Sequence, residues 1–166
     1  TMIIDVRMNG GGDSPTVESI ARYFCSEKTL IYQTVVRNGP GWEDFSPPEP
    51  VYIYPLTVKY EGPVILLIGE YSASATEWFA AAVDQLPQFV LAGDTTMKEI
   101  SSPTFLDLAS GYQYTCTMLT LLHADGTTWL QETGVAPHYY VEATEEDFSQ
   151  GVDPVLDFAI QWANEQ

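Results

Sequence analysis

The run Val64-Ile65-Leu66-Leu67-Ile68, set between Pro63 and Gly69, contains no polar position. Such uninterrupted apolarity is what a strand covered on both faces of a parallel sheet requires. Glu70-Tyr71-Ser72-Ala73-Ser74 then turns the chain. Ala75 to Leu86 follows, with Trp78, Phe79, Ala82 and Val83 at helical spacing, which predicts a helix with one apolar side. Phe89 to Ala92 is apolar again and stops at Gly93-Asp94. Strand, helix and strand joined by short loops predict a right-handed parallel unit.

The N-terminal stretch repeats this logic. Met2 to Val6 reads as a strand that ends in Arg7-Met8-Asn9 and Gly10-Gly11-Gly12. Asp13-Ser14-Pro15 supplies a cap and an early proline. Val17, Ile20, Ala21, Phe24 and Cys25 then keep helical spacing to about Ser26. Leu30 to Val36 reads as a strand, Arg37 to Pro50 as an irregular Gly/Pro loop, and Val51 to Val58 as a strand or extended arm. Further on, Thr104–Leu108, Tyr112–Thr120 and Thr128–Leu130 predict strands, with tight turns at Ser110-Gly111 and Asp125-Gly126. A short strand is expected at Tyr139–Val141, and Glu145-Glu146-Asp147 reads as a solvated stretch. Asp153-Pro154 opens a closing helix with Val155, Leu156, Ala159, Ile160 and Trp162 on its apolar side. The pattern is mixed α/β in one domain, without repeats.

Composition narrows the function. The 166 residues are 45% hydrophobic, enough for a core. Against 23 acidic side chains stand 6 basic ones, a net charge of −17 that argues against nucleic acid and anionic membranes as partners. No apolar run is long enough to span a membrane. Thr1 to Val6 reads as a core strand and not as a leader, so the chain is expected to be a piece of something longer. Cys25 and Cys116 lie in no C-x-x-C or metal-like spacing and are expected to be buried free thiols. Neither a metal nor a cofactor is called for.

Two turns could carry chemistry. Ser74 follows a buried strand and starts a helix. Its hydroxyl would stand at the carboxyl end of the sheet, with the Ala75 amide at a helix N-terminus to receive negative charge. The same residues also spell a capping box, Ser74-Ala75-Thr76-Glu77, in which Ser74 caps and Glu77 reaches back. The Gly10-Gly11-Gly12 run fits either a plain turn or backbone amides brought close to a carbonyl oxygen, and it lacks the phosphate-binding fingerprints. A nucleophilic serine needs a base. Lys98, beyond the strand after the Ser74 helix, could approach it through the crossover; His123 and His138 read as solvent-facing or packing residues.

Taken together, these segments resemble the C-terminal processing (tail-specific) serine peptidases. Ile3-Ile4-Asp5-Val6-Arg7-Met8-Asn9-Gly10-Gly11-Gly12 is similar to that family's D-x-R-x-N-x-G-G signature. Pro63 to Ala82 is similar to its S-A-S-x-E segment, and Val90 to Thr96 to its V-x-x-G-E-x-T. Ala124-Asp125-Gly126, Gly134-Val135-Ala136-Pro137-His138 and Asp153-Pro154-Val155-Leu156 follow in register. The resemblance implies a Clp protease/crotonase-like spiral of ββα units. Residues 1–166 would be the C-terminal part of its catalytic domain, without the PDZ domain and N-terminal region. It implies an endopeptidase acting near protein C-termini, outside the cytoplasm, on polypeptide substrates. Ser74 would be the nucleophile, with Ser72 as the neighbouring alternative; Lys98 would be the base. Ala75, with Gly11 or Gly12, would form the oxyanion hole. One departure is visible: the family pattern puts its lysine where Glu99 stands, one position after Lys98. The loop then shifts Lys98 into register, or another group is the base, or the fold serves as a binding module without catalysis, as in the repeats of interphotoreceptor retinoid-binding protein.

Overall fold

The computed structural model describes residues 1–166. Its elements are β1 (Met2–Asp5), α1 (Ser14–Ala21), β2 (Thr29–Val36), β3 (Glu49–Ile53), β4 (Val64–Ile68), α2 (Ala75–Val83) and β5 (Phe89–Gly93). They continue with β6 (Ser101–Asp107), β7 (Gln113–Leu122), α3 (Leu130–Thr133), β8 (Tyr139–Tyr140), α4 (Glu145–Gln150) and α5 (Pro154–Asn164). Two four-stranded sheets result, with strand orders β1-β4-β5-β8 and β3-β2-β7-β6. Pairing in the first is parallel throughout and in the second antiparallel.

β4 explains the layering. All five of its side chains are fully buried, and alternate residues face opposite layers. Val64, Leu66 and Ile68 pack with Val17, Ala21, Phe79 and Val83 of α1 and α2, and with Ile31 and Tyr32 of β2. Ile65 and Leu67 pack with Val155 and Ala159 of α5. The two-residue period of a strand thus serves two helical layers at once, which is why the sequence there needs unbroken apolarity. Each of these aliphatic side chains contributes roughly 1.5–3 kcal/mol by leaving water.

Arg7 fastens the last layer to the first strand. Its guanidinium donates to both oxygens of Asp153 at 2.7 Å each and to Asp5 at 2.7 and 3.0 Å. Asp153 in turn caps α5 by accepting from Leu156 N at 3.0 Å. The Arg7 hydrogen bonds hold both carboxyls below the usual carboxylate range and push the guanidinium higher still.

Several expectations change in detail. The strand foreseen at Thr128–Leu130 is only a bridge between Leu122 and Trp129, followed by the one-turn helix α3. Asp125 accounts for this: its carboxylate accepts the amides of Thr127 and Thr128 at 2.7 and 2.9 Å, curling the chain. The solvated acidic stretch is helical, as α4. Thr144 and Asp147 form a capping box there, and three acidic side chains occupy the first turn. With no buried residue, α4 carries no hydrophobic period to read. β3 stops at Ile53, before Pro55, whose missing amide cannot extend a ladder. α1 ends at Ala21 and passes into a turn, and α2 ends at Val83. Cys25 is buried as expected, Cys116 is only half-buried, and both are free.

Candidate active site

The carboxyl ends of β1, β4 and β5 lie side by side, because these strands are parallel neighbours. Three loops leave from them: residues 6–13, 69–74 and 94–99. Crevices at the carboxyl ends of parallel strands are where open α/β sheets gather their functional groups.

Ser74 is the N-cap of α2, with φ 53° and ψ −123°. Positive φ in a serine costs on the order of 1–3 kcal/mol and persists only where the surroundings impose it. The surroundings here do so. Ala73 N donates to Asn9 O at 3.1 Å, Met97 N to Ser72 O at 2.9 Å, and Ser74 N to Glu77 Oε2 at 3.1 Å. Ser74 and Glu77 stand in capping-box positions, yet the Ser74 hydroxyl itself makes no cap hydrogen bond. The half-buried side chain is left without a hydrogen-bond partner. Ser72 differs. It is fully buried, and its hydroxyl accepts from Gly69 N at 3.1 Å while donating to Val6 O at 2.9 Å. Its role is to tie β4 to β1.

Gly11 meets this turn directly. Its φ is +107°, and a Cβ at that position would lie 2.7 Å from Ser74 Cβ and 2.9 Å from Ala73 O. Only glycine allows so close an approach with that backbone. The Gly11 amide is engaged, donating to Asn9 Oδ1 at 2.9 Å. Thr76 Oγ1 donates to the same oxygen, also at 2.9 Å. The amides of Gly12 and Ala75 have no acceptor within the chain. Asn9 is therefore the residue that locks the glycine loop onto the start of α2. Sequence reasoning gave it no role, although it stands inside the N-x-G-G pattern where one could have been sought.

Glu77 organises the third loop. It is fully buried and accepts four hydrogen bonds. Oε1 takes Thr96 Oγ1 at 2.6 Å and Lys98 N at 2.8 Å; Oε2 takes Glu99 N at 2.8 Å and Ser74 N. A buried carboxylate is tolerable when its lone pairs are satisfied in this way. One side chain thus ties the loop of residue 98 to the turn of residue 74. Lys98 has φ 70°, and its exposed side chain makes no ion pair.

The histidines are elsewhere. His138 Nδ1 accepts from Leu91 N at 3.0 Å, so its proton is on Nε2, 3.0 Å from Asp84 Oδ1. His123 Nε2 lies 3.6 Å from the other Asp84 oxygen. Asp84 caps the far end of α2, about 15 Å along the helix from Ser74 at 1.5 Å per residue. Both histidines pack at that end, away from the crevice. No three His, Cys, Asp or Glu side chains converge as metal ligands.

A strand–turn–helix serine at the carboxyl ends of a parallel sheet, faced by a glycine loop, places the molecule among the Clp protease/crotonase-like α/β folds of serine-type peptidases. Comparison with known proteins narrows this further: residues 1–141 match Peptidase family S41, and the chain belongs to that family. It is similar to the carboxy-terminal processing protease CtpB of Bacillus subtilis, 29% identical over 136 residues, covering 82% of this chain and 26% of that protein. Among solved structures it is similar to a putative peptidase from Parabacteroides merdae, with TM-score 0.89 and 32% identity over 96% of this chain and 50% of that one. The photosystem II D1 C-terminal processing protease shares the fold, with TM-score 0.66 and 21% identity over 84% of this chain and 34% of that one. The chain spans 26 to 30% of the length of the curated relatives it matches.

Proposed function

We propose that these residues belong to a serine endopeptidase that cleaves polypeptides near their C-termini, with Ser74 as nucleophile. The observation that carries this reading is the Ser74 backbone, held at positive φ with its hydroxyl free beside unpartnered amides. Ser74 Oγ attacks the scissile carbonyl carbon, and its proton passes to the base. The carbonyl oxygen, now an oxyanion, takes hydrogen bonds from Ala75 N and Gly12 N. The C–N bond then breaks, the proton goes to the leaving amine, and water hydrolyses the acyl-enzyme to restore Ser74. Gly11 serves by shape, since its own amide is spent on Asn9.

Lys98 is the base in this proposal. Its backbone shares the Glu77 carboxylate with Ser74, which keeps the two residues on adjoining loops. In this role the Lys98 amine takes the proton from Ser74 Oγ and returns it to the leaving amine. On the same reading the protein acts outside the cytoplasm, in keeping with its acidic composition.

A fluorophosphonate probe tests the assignment. It should label the full-length protein at Ser74, with no labelling in Ser74→Ala and at least a hundredfold slower labelling in Lys98→Met. Undiminished labelling of Ser74→Ala would falsify the nucleophile. Undiminished labelling of Lys98→Met would move the base to another group and leave the nucleophile standing.

A further inference from the structure

A cavity of about 700 Å³ lies across the carboxyl ends of all four parallel strands. Asp5, Ile68, Gly93 and Tyr140, the last residue of each strand, line it. Open α/β sheets take their ligands at this place, and the volume is that of a ligand site. Asp5 and Asp153 on its wall share the one guanidinium of Arg7. Glu70, Asp94 and Glu142 also line it, are exposed, and pair with no cation. Tyr71, Tyr140 and Phe148 add exposed aromatic rings to the same wall. The cavity adjoins the Ser74 turn. Glu70 and Tyr71 belong to the loop that carries Ser74, and Met8 precedes Asn9, whose carbonyl accepts from Ala73 N.

We infer that this cavity receives a lysine or arginine side chain of the polypeptide substrate, roughly two to four residues from the bond that is cut. The inference rests on the peptidase reading above. Tyr71 is three residues from Ser74, so at most about 10 Å separates them, the reach of three residues of extended substrate. Two carboxylates against one guanidinium, with three more carboxylates unpaired, leave the cavity strongly negative. An acidic segment is repelled there and a basic one is drawn in. The carboxylates are spread along the walls and do not converge as the ligands of a single metal ion would. The aromatic rings suit the same occupant. The methylene stem of a lysine or arginine packs on them, and its cationic head is attracted to a ring face.

The test uses the full-length protein carrying Ser74→Ala and two fluorescein-labelled peptides, Ala-Ala-Ala-Lys-Ala-Lys-Ala-Ala and its counterpart with glutamate at both lysine positions. Fluorescence anisotropy at low ionic strength should show the lysine peptide binding at least about tenfold tighter. Adding Glu142→Lys should weaken that binding about tenfold or more, and adding Phe148→Ala about threefold. Glu165→Lys makes the same change in net charge at the far end of α5 and should matter less than about twofold. With Ser74 intact, the lysine peptide should also slow fluorophosphonate labelling, because one chain then spans both places. Equal binding of the two peptides, or equal weakening by Glu142→Lys and Glu165→Lys, would reveal only the general field of an acidic protein. Either result overturns the inference and leaves the peptidase reading standing. If the peptide binds as expected but does not slow the labelling, the cavity lies outside the substrate's path and the inference falls. If Ser74 is never labelled, the peptidase reading fails and the substrate path goes with it.

Discussion

Replacing Glu77 by Gln keeps shape and removes one acceptor, which makes it the sharpest probe of how the crevice is assembled. The carboxylate takes two donors on each oxygen. The amide can keep only one oxygen as acceptor. Turned toward Ser74 N and Glu99 N, that oxygen preserves two bonds and swings the NH₂ toward Thr96 Oγ1 and Lys98 N. Thr96 Oγ1 already accepts from Val135 N at 2.9 Å and has a lone pair left for a second donor. Lys98 N then faces a donor and loses its bond. The opposite orientation confronts two amides and is worse. Losing one hydrogen bond to a charged acceptor costs about 1.5–3 kcal/mol, and the part-buried Lys98 amide left facing a donor adds about 1, so Glu77→Gln should lose about 2–4 kcal/mol. For a domain of this size that lowers the midpoint of thermal unfolding by roughly 5–15 °C. Calorimetry reads the shift. A companion cycle with Thr96→Val should be non-additive, because both changes act on one network. A fall under about 1 kcal/mol in Glu77→Gln would show that the carboxylate is not what holds the residue 94–99 loop, and the explanation for Lys98's location would go with it.

Gly11→Ala should destabilise by at least about 1–3 kcal/mol from backbone strain alone, and slow Ser74 labelling more than tenfold because Cβ meets the Ser74 turn. Unchanged labelling would mean that the glycine loop does not touch the working serine. Asp5 and Asp153 have carboxyl pKa values depressed by Arg7, so their share of stability is present above the unfolded carboxylate range near 4 and is lost as pH falls through the lower folded values. Acid titration of α5 docking, followed by Trp162 fluorescence, should therefore show a transition below about pH 4 that Arg7→Met removes. Both carboxylates are partly exposed, so solvent screening keeps the effect small, on the order of 1 kcal/mol. His138→Gln should leave the Ser74 labelling rate within about twofold, since the histidine pairs with Asp84, about 15 Å along α2 from Ser74. A hundredfold loss would bring the histidines back as candidate bases.

Much of this molecule could be read along the chain. Unbroken apolarity at residues 64–68 specified a strand buried on both faces, because only such a strand needs no polar side. Helical spacing after Ser74, and proline after Asp153, set the starts of α2 and α5 where the structure has them. The ordered motifs pointed to the family. Where the pattern was silent, local hydrogen bonds decided: α4 has no buried face, and the Asp125 turn displaced a strand.

The site divides along the same line. Strand followed by small-residue turn followed by helix is local information; it put Ser74 at the turn but fitted a helix cap as well as a nucleophile, and the ordered family motifs chose between the two. Whether its hydroxyl caps the helix or stands free depends on what fixes its φ, and those restraints come from Asn9 and Ser72–Met97 contacts remote in sequence. Glu77 looked like half of a cap; folding made it the common acceptor for its own turn and for a loop 21 to 22 residues further along the chain. Gly11 and Gly12 looked equivalent, and a local turn, with the Asn9 side chain two residues back, spent one amide and left the other. A sequence states which residues can form a turn or bury a face, because those are nearest-neighbour properties. Which lone pairs and amides remain unpaired is settled only when the carboxyl ends of the parallel strands come together.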